Sequence, residues 1–185
     1  HMDMDAVESA IPKLAAGLSS DGWADLAQAI MTTDTAPKLV SREIHLGDQV
    51  CTITGAAKGA GMIRPDMATM LCFVATDAAA SPETLKKMLK TANDRSFNRI
   101  TVDGDTSTND MVLLMANGAA GVDIDEAEAG ESFQTALNEV LTSLAKMIVR
   151  DGEGATKFVE IRVNGAISDI DARKVADTVA NSSLV

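Results

Sequence analysis

Between Glu131 and Arg150 the apolar residues Phe133, Leu137, Val140, Leu144 and Ile148 recur at steps of three and four, which predicts a long helix with one apolar stripe. Arg150 falls where a cation favours a helix end, and Gly152 and Gly154 stop the helix. Such a stripe must be covered by another layer, and the rest of the chain supplies strands. From Leu39 to Leu46, Val40, Ile44 and Leu46 alternate with Ser41, Glu43 and His45, Arg42 standing out of pattern. Gly47-Asp48 turns the chain, and Val50 to Thr54 returns with Cys51 and Ile53 on the apolar face. The run Met70 to Ala75 reads as a buried strand, and Met111 to Ala116 as another, with a helix as the alternative for the latter. Phe158 to Val163 alternates like a strand. Hairpin pairing interleaved with helices predicts an α/β layered fold, a mixed sheet with helices packed on it.

The remaining helices carry their own signals. Val7, Ile11, Leu14 and Leu18 share a face between Asp5 and Leu18, with Pro12 disturbing the start. Ser20 or Asp21 caps a second helix bearing Trp23, Leu26, Ala27 and Ile30. Ser81-Pro82-Glu83 is a strong start for a helix that buries Leu85, Met88, Leu89 and Ala92 and leaves Lys86, Lys87 and Lys90 in solvent. Ser168 with Asp171 opens a last helix through Val175 and Val179.

Composition excludes several functions. A chain of 185 residues is sized for one structural domain. A net charge of −11 argues against nucleic acid, and five aromatics leave no stacking surface. No stretch has the roughly 20 apolar residues of a membrane helix. Cys51 and Cys72 read as buried free thiols of a reducing compartment, and His45 stands alone, so no metal site is expected. Asp103, Asp105 and Asp110 lack the spacing and closing glutamate of a calcium loop. His1-Met2 reads as a cloning remnant and the protein as cytoplasmic.

Chemistry concentrates in Lys58-Gly59-Ala60-Gly61-Met62-Ile63-Arg64-Pro65-Asp66-Met67-Ala68-Thr69-Met70. Its glycines permit close backbone approach, and Thr69 stands at the edge of a buried strand, placed like a nucleophile. Taken alone, such a hydroxyl is more often bonded to nearby backbone, and Lys58 reads as a solvated loop lysine. Thr32, Thr33 and Thr35 read equally as turn residues, and Glu153 as a loop carboxylate.

The segment Lys58 to Leu71 resembles the processing site of the ornithine acetyltransferase family, the glutamate N-acetyltransferases of arginine biosynthesis. Two further stretches match in order: Met31-Thr32-Thr33-Asp34-Thr35-Ala36-Pro37-Lys38, and Arg150-Asp151-Gly152-Glu153-Gly154-Ala155-Thr156-Lys157. Gly104-Asp105-Thr106-Ser107-Thr108-Asn109-Asp110 adds to the match. The resemblance implies an N-terminal-nucleophile-like fold, incomplete at both ends, and self-cleavage between Ala68 and Thr69. Residues 3–68 then belong to the C-terminal part of an alpha chain and 69–185 to the N-terminal part of a beta chain.

In the implied mechanism Thr69 takes acetyl from N-acetylornithine and passes it to glutamate through an acetyl-threonine, with Thr32, Lys58 and Glu153 at the substrate. No cofactor is implied; acetyl-CoA is a donor for some members. The resemblance further implies an alpha/beta heterotetramer for the full-length enzyme, and places the oxyanion donors in a Thr-Gly pair upstream of this chain. This chain alone is therefore expected to be inactive, and its uncovered sheet edges to favour self-association. Two other functions fit a buried strand-edge threonine: a self-processing aminopeptidase, and a non-catalytic acidic assembly domain in which Thr69 is structural.

Overall fold

Among the described residues four strands form one mixed sheet in the order β1-β2-β3-β4: β1 Lys38–Leu46, β2 Gln49–Lys58, β3 Leu71–Thr76 and β4 Met111–Ala116. The computed structural model describes residues 2–46, 48–63, 70–105, 110–182 and 184. β1 and β2 are an antiparallel hairpin from Lys38 opposite Ala57 to Leu46 opposite Gln49, as the alternation predicts. β3 runs antiparallel to β2 and parallel to β4, so a helical crossover separates β3 from β4. That crossover is α3, Pro82–Arg95, capped by the Ser81 hydroxyl accepting from the Thr84 amide, and a short 3-10 turn follows over Phe97–Arg99.

The long helix is α4, Ala127–Arg150, and every residue of its predicted stripe, Phe133, Leu137, Val140, Leu144 and Ile148, is fully buried. It lies across β1 and β2 beside α3. Cys51, Ile53, Cys72 and Val74 meet it from the sheet and are fully buried too. Close packing depends on Gly55: a β-carbon there would stand 3.0 Å from Leu144 Cδ1 and 3.2 Å from Val140 Cγ1. This is the expected α/β layered architecture.

Several sequence expectations are corrected. The first two helices are α1, Met4–Ala16, and α2, Trp23–Ala29. No residue of α1 is buried, so its apolar face of Val7, Ile11 and Leu14 lies open. Gly22, not Ser20 or Asp21, precedes α2, without a side-chain cap. β2 continues beyond Thr54 to Lys58, through Gly55-Ala56-Ala57 where small residues hide the alternation. β4 is a strand but not a buried one, because it is an edge of the described sheet and Met111, Leu113 and Met115 are each about 40% exposed. Residues 158–163 join no strand, although Phe158 is held under the Arg150 guanidinium at 5.0 Å. Alternation reports two faces, and a ladder partner is a separate requirement. The last helix, α5, spans Asp169–Ala180 with Ser168 as the foreseen cap.

Candidate active site

Three separate segments are tied together by one buried lysine. Lys38, 1% exposed, opens β1 and donates to Asp34 Oδ1 and to Asp151 Oδ2, both at 2.6 Å. Asp34 also accepts from the amides of Thr32 at 3.2 Å and Gly59 at 2.7 Å, so the turn after α2 is fixed to the end of β2. Gly59 makes this approach with φ 151°, a backbone setting that side chains disfavour. Asp151 caps α4 and accepts from the Thr35 amide at 3.0 Å and from the Thr35 hydroxyl. Burial pushes both carboxyls up. The bonds from Gly59, Thr32 and Lys38 to Asp34, and from Lys38 and Thr35 to Asp151, together with the Lys38 charge, outweigh it and hold both below the usual range.

The candidate substrate residues gather around the turn 59–61. Thr32 is exposed, with its backbone held through Asp34. Lys58 is the last residue of β2 and only 8% exposed, which corrects its reading as a solvated loop lysine. No hydrogen-bond partner holds its ammonium among the described residues. The Glu153 amide donates to the Ala60 carbonyl at 2.7 Å. Its carboxyl lies so close over Gly61 that a β-carbon there would come within 2.9 Å. A side chain at position 61 would therefore have to push the Glu153 carboxyl aside. Ala68 and Thr69 lie outside the described residues.

Both flanks of residues 64–69 are held by aspartates. Asp103 accepts from the amides of Met62 and Ile63, fixing Met62 in a left-handed conformation, φ 57°, that is uncommon for a side-chain-bearing residue. Asp110 Oδ1 accepts from the Met70 amide at 2.8 Å, one residue before β3. Burial raises the Asp110 carboxyl above its usual range against the opposing Met70 bond and Lys58 charge.

Sequence reasoning missed the roles of Asp34, Lys38, Asp151, Asp103 and Asp110. Four of them lie within the matched stretches, so the resemblance marks the segments. What it lacks is the pairing, since Lys38 and Asp151 stand 113 positions apart.

The chain is similar along its whole length to the Geobacter sulfurreducens "Arginine biosynthesis bifunctional protein ArgJ", 56% identical over all of this chain and 47% of that protein. The Candida tropicalis protein of that name, designated mitochondrial, is 48% identical over all of this chain and 47% of its own length. The chain therefore spans about half the length of these curated relatives. A crystal structure of the Bacillus halodurans arginine biosynthesis bifunctional protein argJ superposes with a TM-score of 0.58 at 46% identity, over 61% of this chain and 54% of that one. The ArgJ family model matches residues 1–185, and the chain belongs to the ArgJ family.

Proposed function

We propose that the chain is part of an acetyltransferase of arginine biosynthesis that cleaves itself between Ala68 and Thr69 and then moves acetyl from N-acetylornithine to glutamate. The observation that carries this is the convergence of the segments bearing Thr32, Lys58 and Glu153 on the turn 59–61, just ahead of Thr69 in the chain. A threonine hydroxyl needs a base to become a nucleophile, and an N-terminal threonine carries one in its own amine. With a reference pKa of about 7.7 to 8.0, that amine is partly neutral near neutrality. Cleavage therefore makes the catalyst. Thr69 Oγ1 attacks the acetyl carbonyl, ornithine leaves, and the glutamate amine attacks the acetyl-threonine in turn.

Lys58 and Glu153 supply opposite charges for a zwitterionic amino acid, with Glu153 facing the substrate ammonium. The word "bifunctional" in the relatives' names fits a second acetyl donor, for which acetyl-CoA is the candidate. The full-length protein works as an alpha/beta heterotetramer in the cytoplasm, and the 185-residue chain alone is inactive. Among the described residues no helix is long and apolar enough to cross a membrane.

The test is denaturing mass measurement and acetyl transfer on the full-length protein. Thr69→Ala should remain one chain and transfer nothing, while Thr69→Ser should keep part of both activities. Cleavage and transfer by Thr69→Ala would overturn the proposal, and cleavage without transfer to glutamate would favour an aminopeptidase.

A further inference from the structure

Asp34 is a buried carboxylate that the proposed reaction does not use, and its side chain is 0% exposed. Its two oxygens serve three donors. Oδ1 accepts from Lys38 Nζ at 2.6 Å and from the Gly59 amide at 2.7 Å, and Oδ2 accepts from the Thr32 amide at 3.2 Å. Lys38 alone supplies the opposite charge that burial of a carboxylate requires. The two amides do something further, since they fix two pieces of backbone far apart in the chain to one rigid group.

Those two pieces carry the side chains that are left without partners. Thr32 is exposed, and among the described residues nothing binds its hydroxyl. Gly59 follows Lys58, and the planar peptide between them means that holding the Gly59 amide also holds the carbonyl end of Lys58. The Lys58 side chain stands only 8% exposed with its ammonium unbonded among the same residues. The Gly59 amide reaches Oδ1 at φ 151°, so glycine and carboxylate act as a pair there. From this we infer that Asp34 is a positioning residue for the substrate site: it sets the spacing of the Thr32 hydroxyl and the Lys58 ammonium, and with it the fit of an amino-acid substrate. The role rests on Thr32 and Lys58 being substrate contacts, as proposed above. Such contacts survive only within about 0.5 Å of their productive geometry, and a solvated turn would not hold two segments to that tolerance.

The test uses the full-length cleaved enzyme, with KM and kcat for N-acetylornithine and the melting temperature measured together. In Asp34→Asn the new amide nitrogen must face a donor. Turned toward Thr32, it keeps the Lys38 and Gly59 bonds on the remaining oxygen and loses only the Thr32 amide. KM should rise at least about tenfold with kcat within about threefold of the parent, the pattern of a contact made alike in ground and transition states. Thr32→Ala should raise KM too, and the double variant should lie within about threefold of the more impaired single one, because both act through one contact. Gly59→Ala leaves the buried charges in place but strains the turn, and should also raise KM.

An unchanged KM in Asp34→Asn with lowered kcat and melting temperature, the pattern of a residue that only supports the fold, would overturn the inference. So would fully multiplicative effects in the double variant. If Asp34→Asn does not fold, Gly59→Ala decides, and an unchanged KM there refutes the role. Thr32→Ala and Lys58→Ala separate this inference from the one beneath it: unchanged KM and kcat in both defeats the proposed substrate site itself, whereas a raised KM in both beside an unaffected Asp34→Asn defeats only the role of Asp34.

Discussion

Replacing Lys38 by methionine keeps the length of the side chain and removes the charge between two carboxylates whose side chains are 0% and 9% exposed. Removing one partner of a buried pair costs about 3–5 kcal/mol, because the remaining charge stays out of water. Here the loss is eased by other donors: Asp34 keeps the Gly59 and Thr32 amides, and Asp151 keeps Thr35. We therefore expect a loss near the lower bound, about 3 kcal/mol at pH 7, measured by urea denaturation. The pH dependence identifies the cause. In the parent both carboxyls titrate below their usual range, so their stabilising contribution is present above the unfolded-state pKa and is lost as pH falls through the folded one. In Lys38→Met the lone carboxylates oppose folding until protonated. The gap between the two proteins should then shrink below about pH 4. A difference under about 1 kcal/mol at pH 7, or an equal gap at about pH 3 and pH 7, would refute the electrostatic account and leave only packing of the lysine stem.

Gly55→Ala should lower stability by about 1–3 kcal/mol in the same assay, since the new methyl meets Leu144 and Val140 in a filled core. Cys72, fully buried with its thiol pushed well up by burial, should resist a thiol reagent in the native chain and react once urea unfolds it. Glu153→Ala in the full-length protein should raise KM for N-acetylornithine far more than it slows precursor cleavage; equal loss of both would indicate misplacement of the turn 59–61 instead.

How much of this was legible varies with the range of the interaction. The stripe on α4, the β1–β2 hairpin and the caps Ser81 and Ser168 are local patterns, and all four stand as read. The end of β2 was not, because Gly55-Ala56-Ala57 has no polar residue to mark a face. Lys38 reads as a surface residue by type, and its burial is made tolerable by two carboxylates, Asp34 nearby in the chain and Asp151 brought from the far end of α4. The same holds for Asp103 and Asp110: a spacing test for calcium rejects them as a loop, and says nothing about the two backbone segments they hold 40 positions away.

The junction at residues 68–69 divides the sheet between β2 and β3, and the bonds across that division do not depend on the peptide link. The antiparallel ladder from Ile53 opposite Thr76 to Lys58 opposite Leu71 joins the two sides. Lys38 reaches Asp151, and Ala60 receives Glu153, from one side to the other. A cut there would turn one folded chain into a complex of two peptides that never part in the native state. Its thermal stability would acquire a dependence on protein concentration that the uncut form lacks. Refolding after denaturation would become a bimolecular search, with the lost link no longer supplying a high effective concentration of one half near the other. Cleavage after folding would therefore commit the protein to its native pairing.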